Sequence, residues 1–361
     1  MLVLLEVLFR TLIPVGHHPY FEMYEEDGFV IGKYSDKNGS ESTKTIGMFG
    51  QISAKWRINN HGWNNEIDYQ YKRNEGVKRV AIIGDSYVEA INLDYDKSFI
   101  ALANHELKGK YEFYSFGIGG APLSQYLHFC RFVDQKYQPD AFVFVLANND
   151  IDESMAHFGE YRNLVISEDG NGNFIEHHPK YFPIEDDPLV NTAKQSALVR
   201  YLFYNLQIYR IVRLLRFDFN KDKQPDAVVN SKEIRTSTDV VAKLTSYLMS
   251  EIKKTTGERP VIFIQDGNRA NIYAEKAPDV KMAEVSAIIQ NNTDNLGFHF
   301  IDLESVFTYD YFLHQKKHNH FSDYHWNAYG HQVIADTFTN TITTLFERTV
   351  SDSSAIHPLK K

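Results

Sequence analysis

Five short apolar runs constrain the fold of this chain more than any other feature. They are "RVAIIG" (79–84), "YEFYSFG" (111–117), "AFVFVLA" (141–147), "PVIFIQD" (260–266) and "FHFIDL" (298–303). Each is too short for an ordinary helix and rich in β-branched or aromatic residues. None alternates cleanly with polar residues, which is the pattern of strands buried on both faces. Stretches of helical period separate most of them. "PLSQYLHFCRFVDQKY" places Leu123, Leu127, Cys130 and Val133 at three- and four-residue spacing, and "AYGHQVIADTFTNTITTLF" aligns Ile334, Phe338, Ile342 and Leu345. "DKSFIALANHELKG", "STDVVAKLTSYLMSEIKKT" and "DVKMAEVSAIIQNNT" follow the same rule. Strands alternating with helices predict an α/β fold, a parallel sheet covered by helices on both faces.

The alternation leaves three regions outside it. Residues 1–78 read as an N-terminal arm with short strands, rich in Gly, Asn and Tyr beyond residue 17. Its start, "MLVLLEVLFRTLIPVG", is too short to span a bilayer and carries Glu6 and Arg10. It lacks the basic start of a signal peptide. It suits an amphipathic helix on the domain or the end of a membrane anchor. Residues 151–235 read as an insertion or cap between the core segments 79–150 and 236–350. Within it, "NLVISEDGNGNFIEHH" predicts a hairpin closed at Asp169–Gly172. "SALVRYLFYNLQIYRIVRLLRF" predicts a helix with Arg200, Arg210, Arg213 and Arg216 on a solvated basic face, and "NKDKQPDAVVNSKE" a loop. Residues 351–361 read as a disordered tail.

Composition narrows the class. The chain has 361 residues, 43% of them hydrophobic, and a net charge of −9. An acidic chain of ordinary globular composition argues against a nucleic-acid partner. With one cysteine, Cys130, it forms no internal disulfide and no cysteine-based zinc site. Cys130 lies in an apolar helical stretch and reads as core.

The chemistry gathers at strand ends. "IIGDSY" brings a buried run to Ser86 just ahead of a predicted helix. There, free N–H groups and the positive end of the helix dipole stabilise developing negative charge. An ordinary N-cap serine has the same local pattern. There is no Gly-x-Ser-x-Gly elbow and no Walker loop, and Pro122 breaks the dinucleotide fingerprint in "GIGGAP". A nucleophilic serine needs a base. "HFSDYHWNAYGHQVIA" (320–335) offers Asp323 and His325, two residues apart and on one side of an extended loop. An imidazole can take the hydroxyl proton near neutral pH while a carboxylate orients it. Asn327 is placed to cap the helix from Ala328. His314, His318, His320 and His331 crowd the same region, but no acidic third ligand is clearly placed, and no metal is expected. Two further strand ends offer oxyanion donors: the N–H of Gly120 and the side-chain amide of Asn149. In open α/β sheets, sites gather at the carboxyl ends of strands.

These residues resemble the four blocks of the SGNH hydrolases, also called GDSL esterases, over about 79–150 and 260–345. "IGDSY" resembles the first block, with Ser86 as nucleophile. "FGIGGAPLSQYL" resembles the second, with Gly120 as the oxyanion glycine, and "VLANND" the third, with Asn149 as the oxyanion asparagine. "DYHWNAYGH" resembles the last, with His325 as base and Asp323 as its partner. Ala147 stands where the third block has Gly, and Ser322 where the last block has Asp. The D-x-H-W form is similar to the polysaccharide O-acetyltransferase branch.

The resemblance implies a flavodoxin-like three-layer α/β/α sandwich and cofactor-free ester hydrolysis. The Ser86 N–H would join Gly120 and Asn149 in the oxyanion hole. The expected substrate is an acyl ester, an O-acetyl group on a carbohydrate or similar alcohol. Two alternatives stand beside it: O-acyl transfer onto an envelope polysaccharide, and a non-catalytic glycan-binding module. "LLEVLFR" and "INNHGWNN" also resemble membrane-tethered bacterial relatives, which implies an extracytoplasmic or periplasmic, envelope-associated protein with membrane contact through the N-terminus, a cytoplasmic location being the alternative.

Overall fold

The structure, a computed structural model, describes residues 2–13, 15–35, 41–46, 50–156, 162–181, 195–206, 208, 237–321 and 323–355. All five apolar runs form strands: β5 (Lys78–Gly84), β6 (Tyr111–Gly117), β7 (Ala141–Leu146), β10 (Val261–Gln265) and β11 (His299–Asp302). They pair in parallel in the order β11-β10-β7-β5-β6. Counted along the chain within this sheet, the order is 2-1-3-4-5, the flavodoxin-like winding that the family resemblance implies.

The absence of alternation has a direct cause. Val80 and Ile82 point into a core shared with Phe99, Phe338 and Ile342. Ala81 and Ile83 point into another, shared with Leu127, Cys130, Leu248 and Ile289. Both faces of β5 are therefore apolar, and helices Phe99–Glu106 and Ala328–Ala355 cover one side while Leu123–Tyr137, Thr238–Thr256 and Val280–Leu296 cover the other. Burying each large aliphatic or aromatic side chain contributes roughly 1.5–3 kcal/mol. The interior also holds charged groups. Arg79 is fully buried, pairs with Glu112 at 2.6 Å and donates to the carbonyls of Tyr137, Tyr71 and Lys72.

The N-terminal residues do not stand off as an arm. β1 (Tyr20–Glu26) pairs with β2 (Phe29–Ser35), and β3 (Glu41–Ile46) with β4 (Ile52–Arg57), as two antiparallel hairpins. Beyond them Trp63 and Tyr69 enter the same core cluster as Phe116 and Phe129, and Tyr69 stacks on Tyr114 at 4.0 Å. Asn59 and Asn65 make this possible by satisfying the turns around Trp63 with their side chains. Helix Leu2–Thr11 docks through Glu6, whose carboxylate accepts from Ser196 Oγ and from the N–H groups of Ala197 and Leu198. Among the described residues no helix is long and apolar enough to cross a membrane.

In the 151–235 region, β8 (Val165–Glu168) and β9 (Phe174–His177) form the expected hairpin, with the Asp169 carboxylate closing its turn. The hairpin packs on helices Leu123–Tyr137 and Thr238–Thr256 through Arg131, Glu176 and Tyr247. The basic face differs from expectation at Arg200, which is buried and donates to the carbonyls of Gly16 and Gln195. Arg210, Arg213, Arg216 and the loop 220–233 lie outside the described residues. The last helix runs to Ala355 rather than giving way to a tail at 351; the backbone of 351–355 is helical, and 356–361 lie outside the described residues.

Candidate active site

β5 ends at Gly84 and the chain turns at once into the short helix Ser86–Glu89. Asp85 caps it: Oδ1 accepts from the N–H of Tyr87 at 2.9 Å, and Oδ2 lies 3.3 Å from Ser86 Oγ. Burial pushes the Asp85 carboxyl up to about 6, against the opposing hydrogen bond from Tyr87 and the nearby His325. Gly117 allows the helix to seat against β6, since a Cβ there would lie 2.5 Å from the backbone nitrogen of Glu89.

The distant loop meets this turn. His325 Nε2 lies 2.8 Å from Ser86 Oγ, across 239 positions of sequence. Asp323 Oδ1 accepts from the His325 backbone N–H at 2.8 Å and bonds Nδ1 on the far side of the ring. Burial alone would raise the Asp323 carboxyl. The hydrogen bond and charge of His325, with Lys44 behind them, outweigh it and hold the group well below the usual carboxylate range. The order Ser–His–Asp, each within hydrogen-bond reach of the next, is that of a nucleophile, a base and its orienter.

The loop is fixed from both sides. Asn327 caps the following helix, Oδ1 accepting from the N–H of Gly330 at 2.9 Å. Asp266 and Arg269, just beyond β10, form a buried ion pair. Asp266 accepts from Trp326 Nε1 at 2.9 Å, while Arg269 Nη2 donates to the Tyr324 carbonyl at 2.5 Å and to Tyr87 Oη at 2.9 Å. One guanidinium thus joins the neighbour of the serine to the neighbour of the histidine. The Tyr87 ring also packs against the His325 ring, centroids 5.1 Å apart. The amide of Asn92 lies 3.4 Å from His325 Nδ1.

The oxyanion candidates lie at the neighbouring strand ends. Gly84 is in register with Gly117 on one side and Val145 on the other, so the turns carrying Ser86, Gly120 and Asn149 leave the same edge side by side. Gly120 has φ +79°, a backbone conformation suited to glycine. Asp150 anchors the third turn, accepting from the N–H of Ala147 and from Tyr126 Oη, both at 2.7 Å. Among the described residues, the N–H groups of Ser86 and Gly120 and the side-chain amide of Asn149 have no hydrogen-bond partner.

Of the four other histidines singled out in this region, His318 and His331 serve the scaffold. His318 pairs with Asp310 at 2.8 Å and stacks on Phe307, and His331 Nδ1 accepts from the N–H of Phe99 at 3.2 Å. His314 lies 3.8 Å from Asp310, on the surface. His320 donates its backbone N–H to the His325 carbonyl at 3.1 Å. Among the described residues no group of three His, Cys, Asp or Glu side chains is arranged to hold a metal ion. Asp266, Arg269, Asn92 and Glu89 were not singled out from the sequence. The one available signal was the charged "QDGNRA" immediately past a core strand, at the same edge as Ser86.

Fold and site together define a class: an open parallel α/β/α sandwich with a Ser–His–Asp constellation at its carboxyl edge. No protein-family model matches the chain, and no curated protein sequence does. Solved structures resemble it distantly. The acetyl xylan esterase AlAXEase is 15% identical with a TM-score of 0.42, the match covering 73% of this chain and 99% of that one. A member of the lipolytic G-D-S-L family from Veillonella parvula is 10% identical with a TM-score of 0.43, covering 74% and 99%. A catalytic mutant of the acetylxylan esterase Axe2 from Geobacillus stearothermophilus is 11% identical with a TM-score of 0.39, covering 74% and 95%.

Proposed function

We propose that this protein is a serine esterase of the SGNH type that removes an O-acetyl group from a carbohydrate through an acyl-enzyme on Ser86. The observation that carries the reading is the 2.8 Å approach of His325 Nε2 to Ser86 Oγ, with Asp323 on the opposite ring nitrogen. Ser86 Oγ attacks the ester carbonyl carbon as its proton passes to Nε2. The carbonyl oxygen becomes an oxyanion, held by the N–H groups of Ser86 and Gly120 and the amide of Asn149. The carbon–oxygen bond to the alcohol breaks, and His325 returns the proton to the departing oxygen. Water then attacks the acyl-serine, again deprotonated by His325, and the acid leaves as Ser86 Oγ regains its proton. Asp323 keeps its charge and stabilises the imidazolium in both halves.

Carbohydrate as the alcohol is supported by the loop itself. Tyr324 and Phe321 are 75% and 95% exposed on the loop that carries Asp323 and His325. Exposed aromatic residues on the loop that supplies the base suit the C–H faces of a sugar ring, an amphipathic contact of the kind aromatics make. The test is turnover of a short-chain aryl acetate and release of acetate from acetylated oligosaccharides, with Ser86→Ala beside the wild type. Loss of both activities and of fluorophosphonate labelling in the variant is expected. Unchanged activity rejects the serine. Acetylated sugar in place of free acetate, when acceptor glycans are added, makes the enzyme a transferase.

A further inference from the structure

Glu89 is the last residue of the helix that begins with Ser86, and it is 3% exposed. The proposed acyl transfer gives it no part. Its contacts nevertheless converge on the turn after β6. Oε2 accepts from the N–H of Gly119 at 3.1 Å, and Oε1 is bonded by Tyr34 Oη from β2. Its backbone carbonyl accepts from Asn64 Nδ2 at 2.8 Å. Gly119 sits between this carboxyl and the nucleophile: a Cβ there would lie 3.0 Å from Glu89 Oε2 and 3.7 Å from Ser86 Cβ. A buried carboxyl is costly unless its oxygens are used. Here both oxygens are used, one on the turn that carries Gly120 and one on the N-terminal hairpins.

We propose that Glu89 is a positioning residue for the oxyanion turn: it fixes the Gly119 peptide beside Ser86, and Tyr34 fixes Glu89, so the N-terminal hairpins belong to the catalytic unit. The proposal rests on the esterase reading and adds the residue that holds its oxyanion donor in place. The charged surroundings fit. Burial pushes the Glu89 carboxyl up to about 7, with Tyr34, Lys44 of β3 and the Gly119 N–H drawing it down and Asp85 raising it further. Burial thus favours the neutral form of a carboxyl that still accepts from the N–H of Gly119 beside the proposed oxyanion position. Lys44 shares the face of its hairpin with Ala54 and Trp56, and Trp56 Nε1 donates to the Ile91 carbonyl just past the nucleophile helix. The ammonium feels the charges of both Glu89 and Asp323.

The test compares Glu89→Ala, Glu89→Gln and Tyr34→Phe with the wild type, reading kcat and KM separately on an aryl acetate. Glu89→Ala is expected to lower kcat about 10–100-fold with KM within about threefold, since an oxyanion donor is misplaced rather than removed. Glu89→Gln keeps an acceptor for Gly119 and a partner for Tyr34, and is expected within about threefold of wild type. Tyr34→Phe, which leaves Glu89 in place, is expected to lower kcat about threefold to tenfold; this variant decides the matter if Glu89→Ala does not fold. A folded Glu89→Ala within threefold of wild type overturns the proposal, as does a Glu89→Gln no better than Glu89→Ala. Wild-type kcat in Tyr34→Phe overturns the role of the hairpins. In each of these results Ser86 still labels with a fluorophosphonate, so the esterase reading stands. Failure of the wild type to label or turn over removes both.

Discussion

Replacing Asp323 by Asn tests the site at its most specific point. The carboxylate does two jobs with one oxygen: Oδ1 accepts from the His325 backbone N–H and bonds Nδ1. It therefore sets the ring's orientation and forces the Nδ1–H tautomer, the one whose Nε2 lone pair faces Ser86 Oγ. An asparagine can turn its NH₂ toward Nδ1. That places the ring proton on Nε2, where it meets the serine hydroxyl and removes the base. The Asn92 amide, already 3.4 Å from Nδ1, supports the same wrong tautomer once the carboxylate is gone. For this arrangement the expected loss is about 10⁴ in kcat, the magnitude known for the equivalent change in serine proteases, or about 5 kcal/mol of barrier. The assay is steady-state hydrolysis of an aryl acetate near pH 7.5, with the fluorophosphonate labelling rate of Ser86 measured in parallel. Both are expected to fall together while circular dichroism and KM stay close to wild type. A variant retaining more than a tenth of wild-type kcat would refute the assignment, because an imidazole in the wrong tautomer cannot act as the base.

Two further outcomes follow from the surrounding charges. Arg269→Met removes the donor shared by Tyr324 and Tyr87 and leaves Asp266 buried with only Trp326 as partner. It is expected to cost about 3–5 kcal/mol in urea unfolding and to lower kcat. Adding Asp266→Asn should recover stability but not kcat, and recovery of both would remove Arg269 from any positioning role. Glu26 supplies a pH test. Burial would raise its carboxyl, but Tyr71, Lys136 and Lys33 together bring it down to about 2 from 4.5. As pH falls through 4.5 toward 2, the unfolded chain takes up this proton before the folded one does, so stability is lost over that window. Glu26→Gln should therefore lose less Tm than wild type between pH 5 and pH 2.5, and an identical loss in both would show that the pairing contributes nothing.

The core strands, the helices that cover them and the candidate side chains Ser86, Asp323 and His325 were readable in the sequence for one physical reason. Their signals are local. A run such as "AFVFVLA" has no polar face because both its faces are covered, and Asp323 and His325 are two residues apart on one loop. Asn327 was readable as a cap because capping reaches only three residues ahead. The residues that were missed act over long separations. Glu89 meets Tyr34 across 55 positions, and Arg269 meets Tyr87 across 182. Nothing local distinguishes either from a surface charge. Residues 17–78 were misjudged as an arm for a related reason. Polar Asn and Tyr side chains there satisfy buried turns and stack in the core, so polarity was not a sign of exposure. Arg200 is the same case in a helix, its buried guanidinium spent on the carbonyls of Gly16 and Gln195.

The winding order explains why the site needs a clamp. Because the first sheet strand, β5, lies between β6 and β7, the three turns carrying Ser86, Gly120 and Asn149 emerge next to one another at one edge of the sheet, where Glu89 then fixes the Gly119 peptide. The histidine comes from elsewhere. Its loop follows the helix Leu303–His314, which leaves β11 at the far edge of the sheet from β5, and still reaches Ser86. A loop returning over that distance has no strand to set its depth. Asp266 and Arg269 stand at the end of β10 and bind the residues on either side of His325. The strands bring the turns of the serine half together, whereas the histidine half depends on contacts such as the buried Asp266–Arg269 pair. Loss of that pair should move His325 while leaving the oxyanion turns where they are.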